Sequence, residues 1–277
     1  DYYLMDGYND SNYPDVTPER DGKRLIVQPN TFNMYCHREP RFYLTVVWNG
    51  QWFKWENRNT NFLYGQPDGG PTHDAPQNGY LNRSRVSLDY IPRDNNHPYR
   101  PAIIFRMAEA YLSYAEALNE SSERMSHKQE ILDNLNKIRH RAGIAEYGTG
   151  TDENGFTRIK INFSDQKEVR RLIHKERRVE FVGEGVRYHD LRRWKTAHYG
   201  IGNLNEQGEN PDWGVNGPDY GMNYYGTEYT DQGDNAFFKR TKYMDRVYPR
   251  KFYWYPIHQS EIDKDPTLVQ GPFWLGE

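Results

Sequence analysis

The chain has a single cysteine, Cys36, in 277 residues. It forms no intrachain disulfide, and no ligand-like spacing surrounds it, which excludes a disulfide scaffold and a cysteine-based metal site. Long hydrophobic runs are missing too. No apolar stretch approaches the roughly 20 residues of a membrane-spanning helix. Charge of one sign is not in excess: 36 basic residues face 39 acidic ones, for a formal net charge of -3. Such a surface does not attract a phosphate backbone as a whole, so no nucleic-acid partner is expected. The most basic stretch, 165–195, interleaves Glu168, Glu176, Glu180, Glu184 and Asp190 among its Lys and Arg, the pattern of ion-paired helices. Catalytic signatures are also absent. There is no GxSxG elbow, no Walker loop and no GxGxxG at a strand–helix junction. His73, His97, His174 and His189 have no partner at metal-ligand spacing.

What the chain has instead is aromatic residues. Hydrophobic residues make up only 36%, and mean hydropathy is -1.05, low for a large aliphatic core. Yet aromatics reach 15%, with 23 Tyr and 7 Trp. Both bury a large apolar face while keeping a polar tip, so they can build a core that reads as hydrophilic. They are also the side chains that stack on sugar rings and fill binding grooves.

Residues 1–40 read as irregular apart from a strand candidate at Leu25, Ile26 and Val27. The run RFYLTVVW at 41–48, ending at Asn49 and Gly50, reads as a strand and turn. Residues 51–100 are loop-like, with PDGGP at 67–71. Helical spacing begins after Pro101: Ala108, Tyr111, Leu112, Ala115 and Leu118 recur at steps of three and four. A second helix covers about 127–142, with Ile131, Leu135, Ile138 and Ala142 on one face and Gly143 as its C-terminal cap. A third runs from Ser164 or Asp165 to Val182, and a short fourth covers about 187–197. Residues 200–236 are loop again, and 251–255 read as strand. The expected organisation is a loop-rich segment, 1–100, with short strands and a candidate ligand loop, then a helical region, 101–277, with a loop insertion at 200–250. The fold class is mainly α: tetratricopeptide-like helical pairs, long irregular loops and a few short strands.

The candidate site follows from the chemistry of a sugar ring, which has apolar C–H faces and polar hydroxyl edges. A binder needs flat aromatic platforms beside amide, carboxylate or guanidinium forks. Residues 48–66 combine Trp48, Trp52, Trp55 and Tyr64 with Asn57, Arg58 and further Asn and Gln. Large aromatics in a loop mean contact with something. The expected ligand residues are Trp52, Trp55, Tyr64, Asn57 and Arg58, with Trp48 pointing into the core. A second aromatic region, 212–230, holds Trp213, Tyr220, Tyr224, Tyr225 and Tyr229, and could face a ligand or a protein. No cofactor is expected. A structural calcium ion at Asp152, Glu153 and Asn154 lacks full EF-hand spacing, and the string reads equally as a turn.

Three segments together resemble the SusD/RagB family: FRMAEAYLSYAEALNE at 105–120 with LNKIRHRAGI at 135–144, IHKERRVEFVGEGVRYHDLRRWK at 173–195, and PIHQSEIDKDPTLVQGPFW at 256–274. EPRFYLTVVWNG at 39–50 is similar to the family's entry strand, so the resemblance runs from about residue 38 to the end. It implies a non-catalytic lipoprotein at the outer-membrane surface, anchored through an N-terminal Cys that this chain does not carry. Its task would be to capture oligosaccharides for import through a SusC-type TonB-dependent transporter. It also implies a C-terminal part only, whose N-terminal half, a partner in the complete fold, lies elsewhere. Glu176, Glu180 and Glu184 then read as a structural ion-pair network with Arg177 or Arg187, and Gly183 and Gly185 as a helix stop. Two other functions compete. A peptide binder of the same fold would favour backbone pairing and pockets. A carbohydrate-active enzyme would need two carboxylates about 5–9.5 Å apart across a cleft, and no such pair stands out.

Overall fold

A computed structural model describes residues 31–36, 38–53, 56–84, 86, 94–95, 97–99, 102–200 and 214–275. The strand candidate at Leu25–Val27, Trp55, Trp213 and the loop residues 201–213 lie outside them. The chain divides into two compact units, Asp1–Glu184 with Tyr220–Tyr243, and Gly185–Asp219 with Met244–Glu277.

In the first unit three helices form the helical layer: α2 (Met107–Glu120), α3 (Lys128–Arg141) and α4 (Gln166–Glu180). The periodic residues are those that bury. Leu112, Ala115, Ile131, Leu135, Val169 and Ile173 are fully enclosed, and each large aliphatic one contributes roughly 1.5–3 kcal/mol of burial. Ala108 and Ala115 are small enough for α2 to pack against both α3 and α4. The ends are set locally. The Asp165 carboxylate accepts the backbone N–H of Lys167 at 2.9 Å and Glu168 at 3.2 Å, capping α4. After α3, Gly143 takes φ +66°. The N–H of Ile144 then returns to the Arg139 carbonyl and that of Gly143 to His140, a Schellman stop.

The other half of this unit is the aromatic core anticipated from composition. Phe32, Tyr35, Tyr43, Trp48, Phe62, Phe237 and Phe238 form one buried cluster with Met34, Cys36 and Met222. Trp48 points inward, as expected, 1% exposed and stacked on Phe42 at 5.5 Å. The run 41–48 is only partly a strand. Helix α1 (Pro40–Thr45) precedes β1 (Val46–Trp48). Pro40 presets the first helical turn, and the Thr45 hydroxyl donates to the Arg41 carbonyl at 2.7 Å. The turn delivers Tyr43 to the core, where its hydroxyl donates to the Tyr35 carbonyl at 2.8 Å. These tertiary contacts override the β-propensity of the side chains. Antiparallel to β1 runs β4 (Tyr80–Asn82), with Trp48 opposite Tyr80. Strands β2 (Trp52–Phe53) and β3 (Arg58–Asn59) form a short hairpin.

The second unit carries α5 (Val186–Arg193) and α6 (Gln259–Lys264) and has a small core of Leu191, Ala197 and Tyr248. Residues Arg250–Tyr253 are a 3-10 turn and not a strand. Pro249 starts it, and the Arg192 guanidinium donates to the Tyr253 carbonyl at 2.8 Å, fixing its end. The expected loop at 200–236 contains a strand, β5 (Gly217–Gly221), paired with β6 (Thr241–Arg246).

Candidate ligand-binding surface

Two loops that are far apart in the chain meet on the aromatic core of the first unit. The Tyr64 N–H donates to the Gly226 carbonyl at 2.8 Å, tying residues 61–70 to the turn at 223–226. That turn is held by Asn223. Its side-chain oxygen accepts the Tyr225 N–H at 3.1 Å, and its amide donates to the carbonyls of Asp234 and Ala236. The close approach needs glycine. A Cβ on Gly70 would lie 2.5 Å from the Tyr224 ring, and one on Gly226 would lie 2.4 Å from the Phe237 backbone. The result is a cluster of three tyrosines. Tyr64 lies 6.1 Å from Tyr224 and 5.6 Å from Tyr225, and those two are 5.1 Å apart. Tyr64 and Tyr224 are half-buried; Tyr225 is 70% exposed.

The other candidate residues sit around this loop in different roles. Arg58 grips Asp68 with both terminal nitrogens, at 2.6 and 2.8 Å, and Asp68 also accepts the Asn61 N–H at 2.8 Å. Burial would raise the Asp68 carboxyl, but Arg58 and the Asn61 N–H outweigh it and hold the group below the usual carboxylate range. The Arg58 fork thus braces the loop from within it. Asn57 takes φ +51° at the tip of the β2–β3 hairpin, its side chain exposed. Trp52 is half-buried on β2 opposite Asn59. Asp68 and the Tyr224–Tyr225 pair are the residues that reading the 48–66 loop alone leaves out. Tyr224 and Tyr225 belong to the second aromatic region, 212–230, while no local signal pointed to Asp68.

The carboxylates of the 176–184 motif are consumed structurally, though by other partners than sequence spacing suggested. Glu176 binds Arg41 at 2.7 Å and Arg139 at 2.9 Å. Glu180, its side chain 2% exposed, meets Arg41 at 3.0 Å together with Arg106 and Arg141. Glu184 pairs with Arg106 at 2.7 Å. Arg177 donates to Ser113 at 3.0 Å and lies 3.9 Å from the Glu116 carboxylate, and Arg187 lies over Trp194. Helical neighbours cannot reach round to carboxylates that face the interior, so guanidinium groups arrive from α1, α3 and the approach to α2. Burial works against the charge on Arg41, but Glu176 and Glu39 outweigh it and lift its pKa above the ordinary value. Gly183 and Gly185 both take left-handed φ and end the helix as expected. The Asp152 carboxylate accepts three backbone N–H groups, from Glu146, Asn154 and Phe156, which makes a turn of the segment proposed for calcium. Among the described residues no three His, Cys, Asp or Glu side chains gather as a metal-binding group, and no helix is long and apolar enough to cross a membrane.

Helical pairs with tetratricopeptide-like packing, long loops and few strands define the class of protein. The match to known proteins then places the chain within it. The SusD family model matches residues 1–274, and the chain belongs to that family. SusD-like proteins P25 and P38 of Formosa agariphila are each 32% identical to it, over 109 and 103 residues, or 39% and 37% of this chain. The matched stretches are only 18% and 19% of those relatives' own length. A solved SusD-like protein from Bacteroides fragilis superposes with a TM-score of 0.60 at 27% identity, covering 88% of this chain and 40% of that one. The structure of BT4246 superposes at 0.62 with 23% identity, covering 99% and 44%, and so shares the fold.

Proposed function

We propose that the chain is part of a non-catalytic glycan-binding protein at the surface of a bacterial outer membrane, held there by a lipid anchor, which hands oligosaccharides to a SusC-type TonB-dependent transporter. Membership of the SusD family supports the general role in nutrient binding. The observation that carries the glycan reading is the Tyr64–Tyr224–Tyr225 cluster. It is a partly exposed aromatic platform, built from two loops and braced from below by a buried aromatic core and the Arg58–Asp68 fork. Aromatic rings offer a flat apolar face to sugar C–H groups, and the surrounding amides offer partners to hydroxyls. The carboxylates of the 176–184 motif are each engaged by guanidinium groups, which favours binding without bond cleavage.

The test is calorimetric titration of the full chain against a panel of neutral oligosaccharides, with mass spectrometry of the recovered sugar. Tyr64→Ala with Tyr225→Ala is expected to weaken the best ligand at least about fivefold while the chain still unfolds cooperatively, and the sugar is expected back uncut. A panel with no binder, an unchanged affinity in the double variant, or shortened product would each refute the proposal.

A further inference from the structure

The three helices of the first unit's helical layer differ in what they show to solvent. The exposed residues of α4 are Lys167, Arg171, Lys175 and Arg178, and those of α3 are Gln129, Glu130, Asp133, Lys137, His140 and Arg141. Both helices therefore have polar outer faces, as a finished surface should. Helix α2 does not. Its exposed residues are Met107, Ser113, Tyr114 and Ala117, with one charge at its last residue, Glu120, which Arg170 takes. Met107, half-buried Ala110, Tyr114 and Ala117 recur at steps of three, four and three, so they form one uncharged stripe about 15 Å long. The Tyr114 hydroxyl donates to Glu130 at 2.7 Å, which holds the ring in place while leaving it 48% exposed.

The segment entering α2 adds to this face. Ile103, Ile104 and Phe105 are 62%, 97% and 60% exposed, three large apolar residues in a row in a chain with few aliphatics. Looseness does not explain them, because the next residue is clamped. Arg106 donates to the Glu184 carboxylate at 2.9 and 2.7 Å and to the Glu180 carbonyl at 2.8 Å, and lies over the Phe181 ring. A contiguous apolar surface on a fixed support marks a contact. In arrays of helical pairs, end repeats turn a polar face outward, and an apolar outer face belongs to a repeat with a further neighbour. The small side chains of Ala110, Ser113 and Ala117 would let a helix approach to the usual 8–10 Å between axes. Solved SusD-type chains have material to supply one, since the match fills only 40% and 44% of their length.

We propose that Ile103–Phe105 and the Met107–Ala117 stripe form a docking face for a helix from the part of the SusD-type fold that lies beyond the matched region. The proposal rests on the fold and is independent of the glycan reading. Cysteines introduced singly as Ile104→Cys and Ala117→Cys, with Lys175→Cys on the polar face of α4 as control, report access to a maleimide; Cys36 is buried. Each is made in this chain alone and in the complete polypeptide that its gene encodes. In the chain alone all three should react at similar rates. In the complete polypeptide the first two should slow at least about tenfold, while the control stays fast. As a second readout, Ile104→Asp with Met107→Asp should lower the thermal midpoint of the complete polypeptide and leave that of the chain alone almost unchanged. Fast labelling in the complete polypeptide, or an equal effect of the aspartate pair in both proteins, would overturn the proposal. So would protection already present in the chain alone: independent of concentration, it would assign the face to a segment of this chain, and rising with concentration, to a second copy.

Discussion

Replacing Glu180 with Gln removes one negative charge from the place where three guanidinium groups converge. Glu180 is 2% exposed in its side chain, and Arg41, at 11%, is hardly more accessible. Breaking a buried ion pair by deleting one partner costs about 3–5 kcal/mol, because the remaining charge stays desolvated. Here the loss is cushioned. Arg41 keeps Glu176 and Glu39, Arg106 keeps Glu184, and Arg141 is 57% exposed and can turn to water. The cost should therefore fall at the lower end, about 3 kcal/mol, or a fall in thermal midpoint of about 6–12 °C for a unit of this size. Glu184→Gln is the internal control. Its side chain is 24% exposed and among the described residues pairs with Arg106 alone, so about 1 kcal/mol is expected. Thermal and urea unfolding followed by far-ultraviolet circular dichroism would measure both. If the Glu180 variant lost no more than the Glu184 variant, the claim that Glu180 is the centre of the network would be wrong.

Gly183 and Gly185 should separate conformational strain from crowding. Both sit at φ near +80°, but a Cβ at Gly183 would meet the Asn82 amide at 2.3 Å and the Ser84 hydroxyl at 2.5 Å, while Gly185 faces open space. Gly185→Ala is expected to cost about 1 kcal/mol, and Gly183→Ala that amount plus the displacement of the Asn82 and Ser84 side chains, read from urea midpoints; a smaller loss at Gly183 than at Gly185 would contradict the close approach. The acid limb of stability should depend on Asp68. Its folded pKa is lowered, so the stability it lends is complete above the unfolded value of about 3.9 and is lost as pH falls through the folded value. Asp68→Asn should therefore be less stable at neutral pH and show a shallower loss from about pH 4 downward. Parallel curves for the two proteins would remove Asp68 from that role.

Elements whose information is local were legible in the chain. The spacing of Leu112, Leu135 and Ile173 marks the core faces of α2, α3 and α4, and Asp165, Gly143 and Gly183 mark their ends, because capping and left-handed φ act within one turn. The strand-like run at 41–48 misled because β-branched and aromatic residues mean "half-buried surface" at least as much as they mean strand. Tyr43 is buried through a helical turn instead. The aromatic run at 251–255 misled for the same reason. The loop aromatics were visible as a group, and Trp48 at the end of its run was set apart as core, but nothing local showed that Tyr64 would meet Tyr224 and Tyr225.

By itself, then, the order of residues determined the helices, their stops, the aromatic nature of the core and the family. Each of these depends on periodicity, composition or contacts a few positions apart. The tertiary structure alone decided which charges pair and which aromatics meet. Arg41 reaches Glu176 across 135 positions, and Tyr64 finds Tyr225 only because the Gly226 carbonyl accepts its N–H. Any of the 36 basic residues could satisfy a carboxylate on charge alone. Selecting one takes the distance and burial that chain packing imposes.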